Sequence, residues 1–413
     1  MTGVLGGPGR RPDPADFAPP PDAATRLRWT EADRANRPSR LERLRARMAA
    51  GGVDAYFGVR PEHMRWITGF ALGNGEEKVA GHSGQFLVGG DEVILVTDSR
   101  YTIQARREAP DATVDEIGYS LPDAWPRLLA RLGARRVALE SAVVPHELWT
   151  RLEAAAPEVE HVPVDGWIEA MRAEKTPDEI ERIAAACAVA DRALAALLPE
   201  IGPGVTERDL ALRLEWLMRT GGAEALAFDV ACLSGPEAAL PHGAPGDRPV
   251  MDRAVLLFDF GAQVEGYRSD MTRTLFVGEP TERDLGVYDV VRRAQQAVVD
   301  ELASCATAGT LPSGLETDAI ARRVIDADGR WPAYGHGLGH GIGLATHELP
   351  RQGRTATSDP LPSPTVFSVE PGIYLEGETG VRIEDLVHVD TARALLERLT
   401  LFPKDVIVVG SGG

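Results

Sequence analysis

Cysteine is scarce: three in 413 residues. Cys187, Cys232 and Cys305 are odd in number, far apart and without metal-ligand spacing, so they read as reduced thiols of a cytoplasmic protein. Positive charge is also short, with 44 Lys+Arg against 62 Asp+Glu and a formal net charge of −18. Such an acidic surface repels phosphate backbones and anionic lipid, which argues against a nucleic-acid or membrane partner. No apolar run approaches the ~20 residues of a membrane helix. The arginines of Met1–Arg11 are followed by no apolar stretch, so no secretory signal is expected. What is present is ordinary globular composition, 44% hydrophobic and 26% charged, which excludes wholesale disorder. At roughly 150 residues per domain the length predicts two or three domains.

Residues 1–36 read as a flexible extension, because Pro8 to Pro21 is rich in proline, glycine and alanine and has no periodicity. From Arg37 the pattern becomes regular. Leu41, Leu44 and Met48 recur at helical spacing before Gly51-Gly52. Short β-rich runs follow at 54–59, 65–70, 85–88 and 92–97, the last two forming a hairpin about Gly89-Gly90-Asp91. Helices near 101–108 and 123–132 and a strand at 136–139 complete an expected α/β domain over 37–168. Thr176-Pro177-Asp178-Glu179 then has the hydroxyl, proline and glutamate of a capped helix start. Its apolar face runs from Ile180 to Leu197, and a second helix is expected over 207–219. The remainder, 255–261, 267–277, 365–370 and 381–389, reads as strand-heavy, so 169–413 is expected to be an α+β domain with antiparallel hairpins.

Two acidic pairs ride on those hairpins. If the first folds about Val264-Glu265, Asp259 and Asp270 face each other across the strands with Cβ atoms ~5 Å apart. Like charges so placed destabilise a sheet unless a proton or cation lies between them. Asp259 sits in the apolar run Val255 to Gly261, so exposure does not suit it and a cation does. The second pair is Glu370 and Glu384, where Pro371-Gly372 prevents counting the register. Between the pairs lies His336-Gly337-Leu338-Gly339-His340-Gly341-Ile342-Gly343, followed by His347-Glu348. Glycine on both sides of His340 lets backbone approach whatever its imidazole contacts. The run lacks the lysine and hydroxyl of a phosphate loop, and there is no HExxH helix.

These residues resemble the pita-bread metallopeptidases, the family of aminopeptidase P, prolidase and methionine aminopeptidase. The likeness runs in order through Leu240-Pro241-His242-Gly243, the aspartate hairpin, the glycine-flanked His340, His347-Glu348, Glu370-Pro371-Gly372-Ile373-Tyr374 and Val381-Arg382-Ile383-Glu384-Asp385. Trp66-Ile67-Thr68-Gly69-Phe70 and Thr97-Asp98-Ser99-Arg100-Tyr101 are similar to the N-terminal domain shared by aminopeptidase P, prolidase and creatinase. Two segments depart from the family pattern: Pro364-Thr365 stands for Gly-Met, and Gly81-His82-Ser83-Gly84 for a Thr-Gly-Ser type of segment.

The resemblance implies a creatinase-like α/β N-terminal domain and a pita-bread catalytic domain. It also implies two divalent ions: Asp259 on one, His340 and Glu370 on the other, Asp270 and Glu384 bridging both. Four carboxylates and one imidazole favour Mn²⁺, with Co²⁺, Fe²⁺ or Zn²⁺ as substitutes. Glu370 is the implied proton shuttle, His242 and His347 the donors to substrate and tetrahedral intermediate, and Arg382 the residue that orients its neighbours. His336 would support the His340 loop, and Arg351 would take a dipeptide's carboxylate. The expected activity is removal of an N-terminal residue that precedes proline, by a cytoplasmic homodimer acting on peptides with proline second. The competing readings are a non-peptide hydrolase or lyase on the same fold, as in ectoine hydrolase, and a non-catalytic binding protein.

Overall fold

The computed structural model describes residues 10–72, 83–118 and 120–410, so Gly81 and His82 of the departing segment lie outside the described residues. The chain divides into two compact units, Leu27–Met171 and, with Met1–Arg26, Arg172–Gly413.

The first unit is built on a mixed six-stranded sheet. Its spatial order is Thr113–Glu116, Val93–Thr97, Gln85–Val88, Ala55–Gly58, Arg136–Glu140 and Glu160–Val164. Only the pairs involving Gln85–Val88 are antiparallel, and one of them is the expected hairpin to Val93–Thr97. The central strands are buried throughout, as a sheet covered on both faces requires. Trp125, on the helix Leu121–Leu132, lies edge-on to Phe57 at 4.9 Å between centroids. Truncating a buried aromatic of this kind costs about 3–5 kcal/mol. The run 65–70 is not a strand: Pro61–Thr68 is a helix, with Pro61 in its first turn and Gly69 left-handed at its end. Proline at the start and glycine just past the end are helix signals that outweigh the β-branched content.

Two corrections concern the N-terminus. The first helix begins at Ala23, well before Arg37, and runs to Ala50. As far as Arg40 it buries Trp29, Arg37 and Arg40 rather than an aliphatic stripe, which hides its start from a hydrophobic count. Residues 10–22 are also not loose. Arg11 Nη2 donates to Val408 O at 2.7 Å, and Phe17 stacks on Phe402 at 6.3 Å.

The second unit is α+β. Pro177–Leu197 and Glu207–Thr220 form as expected, the first with the Glu179 carboxylate accepting the Thr176 N–H at 2.7 Å. The strand-heavy expectation for the rest misses two long helices, Glu282–Ala308 and Gly314–Asp328. Val287, Val291, Ala294, Val298 and Leu302 of the former pack with Phe367, Val369 and Val387 in one apolar core. Four strands, Val408–Val409, Met271–Val277, Ala254–Phe260 and Ala231–Ser234, make one sheet. Five more, Glu348–Gln352, Gly339–Gly341, Thr365–Val369, Asp385–Asp390 and Leu395–Arg398, make another, all pairs antiparallel.

Candidate metal centre

The first acidic pair sits in a register two residues away from the expected one. Asp259 pairs with Thr272, not Asp270, and the turn is Glu265-Gly266. Both turn residues have positive φ, 48° and 80°, as a two-residue primed turn demands. A two-residue shift preserves side-chain parity, so both carboxylates still project from one face. Asp270 lies in the break between Tyr267–Arg268 and Met271–Val277 and is buried.

The second pair resolves more simply. Gly372–Leu375 pairs with Thr379–Arg382, and Thr365–Val369 pairs with Asp385–Asp390 in the same register. Glu370 and Glu384 stand opposite one another where one ladder stops and the other starts. Ser368 Oγ donates to Glu370 Oε1 at 3.0 Å, and Thr272 Oγ1 donates to Glu384 Oε2 at 2.7 Å.

His340 comes from the short strand between Glu348–Gln352 and Thr365–Val369. Gly339 and Gly341 lie against the backbone of Ser368 and Leu349, leaving no room for a Cβ at either position. With Nδ1 3.0 Å from Gly341 O, the imidazole carries its proton there, and Nε2 is left as a lone pair. That Nε2 lies 3.4 Å from Glu370 Oε1 and 3.6 Å from Asp270 Oδ2. The His347 ring sits 4.3 Å from the His340 ring, and burial together with His340 pushes its pKa down to about 4. His242 is exposed on the loop after Pro241, whose carbonyl takes an N–H from Arg382 at 3.4 Å.

Ligand atoms of Asp270, His340 and Glu384 all lie within 4.8 Å of one another. Burial, then the neighbouring carboxylates, push the Asp270 and Glu384 carboxyls well above the ordinary range. Glu370 is raised as well, by burial first, with Arg382 opposing the shift. Two of the site's oxygens, Asp259 Oδ1 and Glu384 Oε1, are buried with no hydrogen-bond partner among the described residues. Orphaned buried carboxylate oxygens cost several kcal/mol each unless something positive meets them. The donor set is hard and oxygen-rich with one imidazole, and it fits divalent cations.

Residues 181–391 match metallopeptidase family M24, and residues 40–173 match the creatinase/prolidase N-terminal domain. The chain belongs to metallopeptidase family M24. The Xaa-Pro dipeptidase of Pyrococcus furiosus is 33% identical over 373 residues, 89% of this chain and 99% of that protein. Among solved structures, an Xaa-Pro dipeptidase from Bacillus anthracis matches with TM-score 0.82 and 31% identity, covering 91% of this chain and 100% of that one. An X-Pro aminopeptidase from Thermotoga maritima matches with TM-score 0.77 and 34% identity, covering 89% and 99%. The two domains of this M24 metallopeptidase are the creatinase-like α/β and pita-bread α+β domains expected from its sequence.

Around the acidic cluster of this M24 enzyme runs a hydrogen-bonded frame in which Thr272 and Tyr374, given no role by the sequence, join Arg382 and His336. Arg382 donates to Asp259 Oδ2 (2.5 Å), Thr272 Oγ1 (2.9 Å) and Tyr374 OH (3.0 Å). Tyr374 OH in turn meets His336 Nε2 at 2.9 Å, while His336 Nδ1 lies 2.7 Å from Gly337 O. Thr272 pairs with Asp259 across the strands. Arg351 pairs with His340 across the strands, is exposed, and has no ion pair among the described residues.

Proposed function

We propose that this chain is a dinuclear-metal exopeptidase that hydrolyses the bond between an N-terminal residue and proline, with Xaa-Pro dipeptides as its substrate. The observation that carries this reading is the cluster of buried Asp270 and Glu384 with half-buried Asp259, His340 and Glu370. It presents two orphaned carboxylate oxygens and a free imidazole nitrogen. In this reading Asp259, Asp270, His340, Glu370 and Glu384 would hold the two ions. The donor set favours Mn²⁺ over Co²⁺, Fe²⁺ or Zn²⁺. When bound, such a pair of ions would polarise a carbonyl and lower the pKa of water.

The remaining work falls to the chain. Glu370, whose carboxyl is raised by burial, takes a proton from the attacking water and delivers it to the departing proline nitrogen. His347, with its pKa near 4, is neutral at pH 7 and donates one N–H to the developing oxyanion, with His242 beside the substrate. Arg382 holds Asp259 in place while Tyr374 and Thr272 fix the guanidinium. Arg351, without an ion pair among the described residues and on the His340 face of the sheet, is the cation for a dipeptide's carboxylate, which supports the dipeptidase reading over the aminopeptidase one. An Xaa–Pro bond has no N–H and a fixed φ, so a site that grips both ends suits it better than one that reads extended backbone. A cytoplasmic homodimer belongs to the same proposal.

The test is product analysis on chelator-stripped protein reloaded with Mn²⁺, using an Xaa-Pro dipeptide and an Xaa-Pro-Yaa tripeptide. Proline released from the dipeptide only when metal is present supports the reading. Cleavage of the tripeptide alone makes it an aminopeptidase. Turnover of a cyclic amidine, with neither peptide cut, transfers the site to a non-peptide hydrolase, and inertness to all three indicates a binding protein.

A further inference from the structure

Glu348 follows His347 directly, and its carboxylate is buried between two cations. Arg172 Nη2 donates to Oε2, and Lys175 Nζ lies 2.9 Å from Oε1. The three side chains are 5%, 5% and 1% exposed for Glu348, Arg172 and Lys175, so this is an interior ion cluster. Its cationic half is anchored in turn. Lys175 Nζ donates to Arg172 O at 2.7 Å, and the Lys175 N–H donates to Pro364 O at 2.9 Å. The carboxylate also gathers the preceding turn: Ala345 N–H donates to Oε2 at 3.3 Å, and the same group fills the space a Cβ on Gly343 would need. Glu348 therefore fastens the turn Gly343 to Glu348 to the segment that leads into the helix Pro177–Leu197.

His347 is the last residue of the bend that leads into the strand Glu348–Gln352, directly before the anchored carboxylate. With Glu348 turned back onto Arg172 and Lys175, His347 is turned toward His340. Among the described residues no hydrogen bond holds the His347 ring itself, so its aim depends on the anchored neighbour. Burying three charges is a costly way to obtain stability alone, since well-packed apolar groups often do as well. We infer that Arg172, Lys175 and Glu348 are positioning residues that aim His347 at the reacting carbonyl, an inference that rests on the peptidase reading above.

The test is a double-mutant cycle in Mn²⁺-loaded protein, with Glu348→Gln made in the wild-type and His347→Ala backgrounds. Glu348→Gln alone is expected to lower kcat about 10-fold or more with KM held within about 2-fold, and to lower it no further once His347 is absent. Equal losses in both backgrounds, or an unchanged kcat in the first, overturn the inference. Should Glu348→Gln fail to fold, Lys175→Met carries the same cycle, because Arg172 still neutralises the carboxylate. A substrate-free reading accompanies it: hydrogen exchange of the amides of 341–350 in metal-free protein should quicken in the variant, and unchanged exchange overturns the inference. A protein that cleaves no Xaa-Pro bond thus fails the functional reading, while the exchange result still decides whether Glu348 pins the turn.

Discussion

The Arg382 guanidinium donates to Asp259 Oδ2 at 2.5 Å and leaves Oδ1 buried without a partner among the described residues. One planar fork thus fixes a carboxylate while keeping its second oxygen available. Lysine would keep the charge and lose the contacts to Thr272 and Tyr374. Arg382→Lys is expected to weaken Mn²⁺ binding about 10–100-fold, the usual effect of losing a group that orients a ligand. Calorimetric titration of chelator-stripped protein checks this, and wild-type affinity in the variant would contradict it.

Asp270 is buried among carboxylates that raise its pKa, so without metal the cluster repels itself. Asp270→Asn should therefore leave the metal-free protein as stable as wild type or more so. A gain of about 1 kcal/mol would raise Tm by about 2–4 °C. The Tm increase that Mn²⁺ gives wild type should vanish in the variant. Thermal melts at pH 8 with and without metal read both effects, and a retained metal-induced increase counts against a ligand role.

Asp191 offers a pH test away from the acidic cluster. Its carboxylate accepts the N–H groups of Leu401 (2.8 Å) and Phe402 (3.1 Å), and burial pushes its pKa up to about 7. The unfolded value is about 3.9, so the folded state binds the extra proton between the two. A raised folded pKa means the proton-linked stabilisation is full below about pH 4 and is lost as pH rises through about 7. Wild type should lose Tm between pH 5 and 8 more steeply than Asp191→Asn. Parallel pH profiles would show that Asp191 titrates normally.

Arg351 separates dipeptide from longer substrates. Removing a cation that meets only a dipeptide's carboxylate should raise KM for Xaa-Pro by about 10-fold or more, as loss of a charge-assisted contact does. KM for Xaa-Pro-Yaa should stay within about 2-fold, because that contact serves ground state and transition state alike only in the shorter substrate. Equal changes on both substrates would assign Arg351 no part in chain-length choice.

Much of this site was legible because its residue types are unusual where they stand. Asp259 in an apolar strand and His340 between glycines both violate local preference, and both lie in the acidic cluster. The hairpin register was misjudged because Glu265, a non-glycine residue at φ 48°, takes the left-handed turn position beside Gly266. The helix Glu282–Ala308 carried its own signals, Thr281 as cap and valines at helical spacing, yet it was masked by the strands on either side. The helix from Ala23 was harder to see, since it buries Arg37 and Arg40 through partners distant in sequence, such as the Trp66 carbonyl that accepts from Arg40 at 2.9 Å. Arg172 and Lys175 were invisible for the same reason: their partner Glu348 lies far along the chain.

The most direct test of the central claim is the metal stoichiometry of the stripped and reloaded protein. Titration with Mn²⁺, followed by elemental analysis after gel filtration, should find two ions per chain. Xaa-Pro cleavage should return with them and disappear on adding chelator. A chain that holds one ion or none, or that cleaves after complete removal of metal, would contradict the account.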